Sequence, residues 1–431
     1  MLIAILLISL FVLIAIGLPI AIALAGSSLL YLVIGYMTGE VGVPSVVVIH
    51  RMVNGVDSFP LLAIPFFIFV GNLMNTSGIT KRIYDFALSM IGWAKGGLGH
   101  VNVLGSVIFA GMSGTAVADA GGLGTIEIKA LRDHGYDTNF AVGLTAASST
   151  LGPIIPPSLP LVIYGVVGGV SIGQLFVAGV LPGLLMAGIL MGMVFLYAHR
   201  RRWEADQPFS LCGLWVAFKL AWMPLMTPVI ILGGMTFGLF TPTEAAIAAC
   251  VWALFLGLVV YRSLTWRQLV RVSMDTIETT AVIMLIVAGA SIFGWILATT
   301  RVTEAFAEGM LSLTRDPIMI LLIINLLLLV VGCFMETIAA ITILTPVLLP
   351  VAVQVGVDPV QFGMIIVLNL MIGLLTPPVG LVLYVLTRVA NISFEQCVRA
   401  CAPFLIPLLI TLGIITFVPF FSLWLPTLIF R

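Results

Sequence analysis

The sequence predicts an all-α, polytopic membrane protein built from two inverted repeats. Three observations support this prediction: the chain is 61% hydrophobic and only 8% charged, its apolar stretches are long, and its second half repeats motifs of its first. A soluble domain averages about 25% charged residues, so this chain needs lipid to cover its apolar surface. We expect each repeat to contain five crossings, one of them a broken helix, and a re-entrant helical hairpin.

The composition also excludes several classes of protein. The formal net charge of +0 argues against nucleic acid as a partner. The 5 cysteines lack the spacing of a disulfide framework or a zinc site. None of the 4 histidines is paired with an acid at catalytic spacing, which argues against an intramembrane enzyme. No loop is long enough for a soluble catalytic domain.

The predicted spans follow from length and charge. Residues 1–36 carry no charge; as one helix they would run about 54 Å, against about 30 Å of hydrocarbon. We therefore predict two helices, separated near Gly17-Leu18-Pro19. The predicted spans of the first copy are about 1–16, 19–37, 58–76, 140–165 and 176–197. Apolar residues at helical spacing in residues 80–95 predict an amphipathic helix on the membrane surface. The spans of the second copy are about 220–239, 242–261, 276–298, 360–386 and 403–427.

The repeat is visible at a nearly constant offset. Pro156-Pro157 correspond to Pro377-Pro378 at an offset of 221, within LGPIIPPSLPLVIY and IGLLTPPVGLVLY. The further pairs at 221 are Gly135 with Gly356, Asp137 with Asp358, Gly152 with Gly373, and Pro182 with Pro403; Ser171 and Gln174 match Ser393 and Gln396 at 222. The chain is therefore interpreted as two copies, at 1–200 and 210–431.

Charge predicts the orientation of the copies. An extra segment precedes the fourth span of each copy, at about 98–128 and 318–352, and we interpret it as a re-entrant hairpin. Five crossings then make the repeats inverted. With 200–202 in the cytoplasm, only four of the 18 basic residues lie outside, namely Arg51, Arg301, Arg315 and Arg431. Both termini are predicted to be external.

The broken helices lie at about 140–165 and 360–386. Proline removes a helical hydrogen bond, and unwound backbone at membrane depth is tolerated only where protein or a polar cavity surrounds it. Inverted repeats with broken helices are typical of secondary transporters, whose freed carbonyls bind a cation such as Na⁺. A simple proline kink is the alternative, although two kinks at matching places make it less favoured.

Polar hairpin tips supply the other half of the predicted site. Ser113, Thr115 and Asp119 lie in FAGMSGTAVADAGGLG, and Glu336 with Thr337 in GCFMETIAAITILTP. An isolated acid within the membrane indicates function, although Asp119 could instead cap a half-helix. Glu336 corresponds to Thr115 at the offset of 221. Ser149 is expected either to line the cavity or to bond back to its own helix.

These residues resemble the large membrane subunit of the TRAP (tripartite ATP-independent periplasmic) transporters. The resemblance runs nearly end to end, through IPFFIFVGNLM, SGTAVADAGGLG, GPIIPPSLPLVIYG, FMETIAAITILTPVLLP and GLLTPPVGLVLYV. It implies a Na⁺-coupled, elevator-type importer of an organic acid in the bacterial inner membrane, with both termini periplasmic. It also implies a four-span small membrane subunit and a periplasmic substrate-binding protein as partners. No organic cofactor is expected.

The resemblance also assigns site residues. The first Na⁺ site would use Ser113, Asp119, Gly152, Ile155 and Pro157, and the second would use Gly332, Glu336, Thr337, Thr376 and Val379. The predicted substrate cavity adds Thr115, Ser149, Pro156, Pro377 and Pro378. Glu336 departs from the family, which usually has aspartate there, so the second site is expected to shift or to bind through another oxygen.

Two alternatives stay open at this point. A stand-alone ion-coupled carrier for dicarboxylates or citrate would share the inverted repeats and the broken helices. A channel would need a continuous polar path, and few polar residues lie in the spans outside the breaks. Sialic acid, C4-dicarboxylates, keto acids and sugar acids are all compatible with the sequence as substrates.

Overall fold

The computed structural model describes residues 2–39, 46–302, 308, 309, 312, 314 and 316–430. Nine helical segments in these ranges are at least 18 residues long and apolar enough to cross a membrane, two of them counted together with an adjoining 3₁₀ or π-helical turn. The prediction of an all-α polytopic protein is confirmed. Arg315 and Arg431, which we predicted to be external, lie outside the described residues.

The first half begins with two helices separated where the sequence predicts. Gly17 has a φ of +90°, and Pro19 precedes the second helix. A 3₁₀ turn at Phe59–Leu62 runs directly into α4. The helices are α1 Leu2–Ala15, α2 Ile20–Met37, α3 Val46–Val56, α4 Ala63–Thr76, α5 Ile79–Ile91, α6 Gly97–Ser113, α7 Ala116–Gly121, α8 Leu123–Asp133, α9 Thr138–Ser149, α10 Leu159–Gly168 and α11 Ile172–Arg201.

The second half has the same order of helices. Its helices are α12 Leu211–Thr236, α13 Pro242–Phe255, α14 Trp266–Thr299, α15 Pro317–Phe334, α16 Thr337–Gln354, α17 Pro359–Gly373, α18 Leu381–Ala390, α19 Phe394–Phe417 and α20 Phe420–Ile429. A π-helical turn at Leu256–Val260 continues α13. α6 and α15, α9 and α17, and α11 and α19 begin at corresponding positions of the two halves.

Matching residues of the two halves also cap corresponding helices. Asp137 and Asp358 cap α9 and α17 by accepting backbone N–H bonds of 3.1 and 2.7 Å from Asn139 and Val360. Ser171 and Ser393 cap α11 and α19 in the same way. Capping by Asp and Ser stabilises a helix start by about 1 kcal/mol. These pairs therefore act as equivalent start signals in the two halves.

The second half adds α20 at its end, and the helix breaks also differ between the halves. The single helix α14 corresponds to α3, the 3₁₀ turn and α4 together, because Pro60 and the preceding extended residue Ser58 interrupt the first copy. The second arm of the first hairpin is split at Gly122 into α7 and α8, whereas α16 is continuous. The relative membrane orientation of the two repeats stays a prediction.

The two halves interlock around the broken helices. α10, the second half of the first broken helix, packs against α16 of the second hairpin. α18, the second half of the other broken helix, packs against α7 of the first hairpin. Each hairpin also packs against the first half of its own broken helix, α6 on α9 and α15 on α17. Both hairpins and both broken helices therefore form one packed unit.

The segment after α11 returns to the start of the first hairpin. The Asp206 carboxylate accepts hydrogen bonds from Leu98 N (2.8 Å) and from Tyr136 Oη (2.7 Å). Trp203 packs on the Tyr136 and Phe140 rings at 4.5 and 4.7 Å between centroids. Burial, and then the bond to Asp206, raise the pKa of the Tyr136 phenol, so this phenol remains a donor.

We expect Asp206→Ala to lower the free energy of unfolding by about 2 kcal/mol, because two donors then lose a charged acceptor. The measurement is the thermal unfolding midpoint of the purified chain in detergent. Asp133→Ala, an exposed acid on α8, is the control. Equal midpoints for the two variants would contradict this role of Asp206.

Candidate ion and substrate site

The first hairpin tip turns at a glycine. α6 ends at Ser113, and Gly114 has a φ of +63°, in the left-handed region that favours glycine. A Cβ on Gly114 would lie 2.7 Å from the Pro157 carbonyl oxygen. Thr115 then caps α7 by accepting a hydrogen bond of 3.2 Å from Ala118 N. The tip is therefore in close backbone contact with the first unwound segment, residues 150–158.

Hydrogen bonds link residues within this unwound segment and link its end to the first hairpin tip. Ser158 caps α10 and donates a hydrogen bond to the Pro153 carbonyl. Leu159 N donates to the Gly114 carbonyl oxygen at 3.4 Å. A Cβ on Gly152 would lie 3.3 Å from the Thr115 carbonyl oxygen. Carbonyl oxygens of the tip and of the unwound segment therefore face the same small region.

Three of the five residues assigned to the first ion site lie together, and the side chains of the other two are directed elsewhere. Ser113, Gly152 and Pro157 lie together, and Ser113 Oγ is buried without a hydrogen-bond partner among the described residues. The Ile155 side chain packs on α11, where a Cβ on Gly183 would meet it at 2.2 Å. Asp119 is 1% exposed, and its carboxylate faces Ser106 on α6. Asp119 does not cap α7, because Thr115 does.

The second tip is capped by its acid. Glu336 Oε2 accepts hydrogen bonds from Ile338 N (2.9 Å) and Ala339 N (3.1 Å), which caps α16. Glu336 thus takes the position that Thr115 takes at α7, as the offset of 221 predicts. Because one oxygen serves both bonds, the other carboxylate oxygen is available for a further contact.

The second unwound segment, residues 374–380, lies against its hairpin through two glycines. A Cβ on Gly373 would lie 2.4 Å from the Gly332 carbonyl carbon. Val379 N donates to the Cys333 carbonyl at 3.2 Å. Thr376 Oγ1 donates to the Ile372 carbonyl at 2.9 Å. The structure therefore brings Gly332 and the 374–380 segment together.

The two halves of the site differ in exposure. Thr337 Oγ1 is buried and has no partner among the described residues, like Ser113 Oγ in the first half. Pro377, Pro378 and Val379 are exposed, whereas Pro156 and Pro157 are buried. Both Pro-Pro peptides are cis.

A central cavity of about 60 Å³ lies between the two hairpins. Its lining draws on both tips and on both broken helices, and includes Thr115, Pro153, Glu336, Thr337 and Leu374. Thr115 therefore lies at this cavity, and its predicted role in a substrate cavity stays a prediction.

A larger cavity of about 540 Å³ lies between the tips and the helices α4 and α14. Ser113, Thr115 and Glu336 line it from the tips, and α4 and α14 contribute the polar residues Asn72, Glu278 and Thr279. Our sequence reasoning missed these three. The available signal was Glu278, an acid inside a predicted span.

Four residues predicted to line the cavity lie elsewhere. Ser149 donates to the Ala146 carbonyl of its own helix at 2.8 Å and does not line either of these two cavities. Pro156, Pro377 and Pro378 do not line them either. Of the two expectations for Ser149, the hydrogen bond to its own helix matches the structure.

We expect Gly373→Ala to lower the free energy of unfolding by about 1–3 kcal/mol, because its Cβ would overlap the Gly332 backbone. Gly413→Ala is the matched control, since this helical glycine has open space at its Cβ position. Thermal unfolding of both variants in detergent measures the difference. A Gly373→Ala chain as stable as Gly413→Ala would show that the two backbones are not in contact.

Comparison with known proteins places this geometry among membrane transporters. The protein-family model described as "Tripartite ATP-independent periplasmic transporter, DctM component" matches residues 7–421. The chain is 47% identical over 412 residues to the sialic acid TRAP transporter large permease protein SiaM of Vibrio cholerae, covering 96% of this chain and 95% of that protein. It is 38% identical to the 2,3-diketo-L-gulonate TRAP transporter large permease protein YiaN of Escherichia coli, covering 94% of each.

A solved structure has a similar fold. The YdaH transporter of Alcanivorax borkumensis superposes with a TM-score of 0.60 at 14% sequence identity. The match covers 87% of this chain and 86% of that one. At this identity the likeness concerns the fold alone.

Proposed function

The chain belongs to the DctM component family of tripartite ATP-independent periplasmic (TRAP) transporters, and we propose that it imports an organic acid together with Na⁺ by an elevator mechanism. The observation that carries this proposal is the convergence of both hairpin tips and both broken helices on one central cavity. Broken helices that meet at a shared site are typical of ion-coupled transporters.

The proposed first Na⁺ site lies at the contact between the first tip and its unwound segment. Na⁺ is a hard cation that prefers oxygen ligands. Ser113 Oγ is buried without a partner, and the Pro157 carbonyl is in close contact with Gly114. Gly152 and Ile155 would contribute carbonyl oxygens of the unwound segment, and Asp119 would contribute the negative charge.

The proposed second site uses the same construction with a different acid. Thr337 Oγ1 is buried and unpartnered, as Ser113 Oγ is. Glu336 caps α16 with one carboxylate oxygen. Its other oxygen would bind the ion, in the role that the shorter aspartate has in most members of the family. Gly332, Thr376 and Val379 would complete the site from the hairpin and from the 374–380 segment.

The proposed substrate site is the larger cavity. The tips line it on one side, and α4 and α14 line it on the other. We propose that the hairpins and broken helices move as a transport block, while the spans at about 1–76 and 220–298 form the scaffold. A substrate held at this boundary would be carried with the block, and bound Na⁺ would order the tips around it.

The proposed partners are a small membrane subunit and a periplasmic binding protein. The word "tripartite" in the matching family description and the name "large permease" of the relatives support this proposal. We also propose the bacterial inner membrane as the location, with both termini periplasmic. Sialic acid and 2,3-diketo-L-gulonate, the compounds named for the two relatives, are the first substrates to test.

We expect Glu336→Gln to raise the Na⁺ concentration for half-maximal uptake about tenfold or more, because the amide can still cap α16 but carries no charge to attract the ion. The measurement is uptake of radiolabelled sialic acid or 2,3-diketo-L-gulonate into proteoliposomes with the partners present, over a range of Na⁺ concentrations. Glu336→Asp should retain sodium dependence.

Glu244→Gln is the matched control, because Glu244 also caps a helix, through a bond of 2.8 Å from Thr241 N, but lies outside the site. An unchanged sodium response in Glu336→Gln would remove Glu336 from the ion site. Uptake that is indifferent to Na⁺ in the unmodified protein would contradict the proposed coupling altogether.

We expect Val117→Trp to abolish uptake while sodium binding persists, because Val117 lines both cavities and an indole would fill the central one of about 60 Å³ and obstruct the larger one. Val330→Trp is the control; Val330 is 50% exposed on α15, and Val117 is 42% exposed on α7. Uptake and equilibrium ²²Na⁺ binding are measured on both variants. Normal uptake by Val117→Trp would place the substrate elsewhere.

A further inference from the structure

A buried polar cluster lies inside the first hairpin, between the hairpin arms and α9. We call it the inner cluster; its members are Asn102, Ser106, Asp119, Glu127, Thr145 and Ser148, and each is at most 1% exposed. Asn102 and Ser106 are four residues apart, so they share one face of α6. Neither of the two proposed ion sites uses Ser106 or Glu127.

Asn102 organises one side of the inner cluster. Its amide nitrogen donates to Glu127 Oε2 at 2.8 Å and to Thr145 Oγ1 at 2.7 Å. Its amide oxygen accepts from Ser148 Oγ at 2.7 Å. The bond from Asn102 holds one oxygen of the Glu127 carboxylate, Oε2. The other oxygen, Oε1, lies against α6, because a Cβ built on Gly105 would be 3.2 Å from it.

Three oxygens of the inner cluster have no hydrogen-bond partner among the described residues: Glu127 Oε1, Asp119 Oδ2 and Ser106 Oγ. Ser106 on α6 faces the Asp119 carboxylate on α7, and α8, which carries Glu127, packs against both of these helices. The salt bridge found among the described residues is between Arg201 and Asp137, so it does not neutralise either acid of the inner cluster. Two buried carboxylates without a basic partner are costly, and a cation between them removes that cost.

The second repeat shows what the same place looks like without the acids. Positions 340 and 348, which correspond to Asp119 and Glu127 at the offset of 221, are alanine and leucine. Asn369, which corresponds to Ser148, donates to Asn325 Oδ1 at 2.7 Å, and Asn325 donates to Thr416 Oγ1 at 3.1 Å. Uncharged side chains are thus sufficient to join hairpin and broken helix. The hairpin and the broken helix can therefore be joined without acids, so the acid pair of the first repeat is not needed for that contact.

We propose that Glu127 Oε1, Asp119 Oδ2 and Ser106 Oγ bind a dehydrated monovalent cation inside the first hairpin, separate from the two tips. The inference rests on the proposed sodium coupling, and it makes Asp119 the link between the first tip and the inner cluster.

The test is equilibrium binding of ²²Na⁺ to the full chain purified in detergent, measured to saturation. Glu127→Gln keeps the shape of the side chain and an oxygen for Asn102, so we expect it to bind one sodium fewer per chain than the unmodified protein. Glu395→Gln, an exposed acid at the start of α19, should bind the same number as the unmodified protein. Equal numbers for Glu127→Gln and the unmodified protein would overturn the inference and leave the tip sites standing.

Ser106→Ala provides a second, milder test that removes only the uncharged ligand. We expect it to keep the number of bound ions and to weaken sodium affinity at one of them about tenfold. Unchanged affinity in a folded Ser106→Ala chain would also overturn the site. If the unmodified chain binds no sodium, the proposed coupling fails together with this inference; if only the Glu127→Gln and Ser106→Ala results are negative, the coupling stands.

Discussion

The structure depends on one constraint: backbone N–H and C=O groups inside a bilayer need partners within the protein. Two unwound segments, residues 150–158 and 374–380, lack the regular hydrogen bonds of a helix. Each is covered by the hairpin of its own half. Gly114 lies against Pro157, and Gly332 lies against Gly373. Only glycine allows such approaches, because any Cβ would meet backbone atoms. The hairpins are therefore both the cover that makes the breaks possible and the walls of the cavity that the breaks line.

The two halves share helix caps at matching positions but differ in their polar side chains. The caps at Asp137 and Asp358 and those at Ser171 and Ser393 are equivalent, since a helix start has the same unpaired N–H groups in either copy. The tips diverge: a threonine caps α7, whereas a glutamate caps α16 and brings a carboxyl group to the central cavity. The first repeat has buried acids at Asp119 and Glu127, where the second has Ala340 and Leu348. The two halves thus place their acids differently within a similar arrangement of helices.

The sequence predicted the motif residues well and the surroundings poorly. Proline pairs and glycine-rich tips are local signals, so the breaks, the hairpins and the corresponding positions of Thr115 and Glu336 could be inferred from spacing. Asn72, Glu278 and Thr279 were missed because they reach the cavity only through the packing of α4 and α14 against the tips. Glu127 was missed because its hydrogen-bond partner, Asn102, is 25 positions away along the chain, on another helix. Ser149 lies in a motif but bonds to its own helix.

By itself, the sequence determined the membrane class of this protein, the positions of its helices and breaks, and its family, because hydropathy, proline and glycine act on the chain locally. Only the tertiary structure decided which polar groups meet. It directed the Asp119 carboxylate to Ser106, gave Glu336 a capping role, and left the oxygens of Ser113 and Thr337 buried without partners. The physical reason is that the cost of a buried oxygen depends on every neighbour within a few ångströms, and those neighbours come from helices that are distant in the chain.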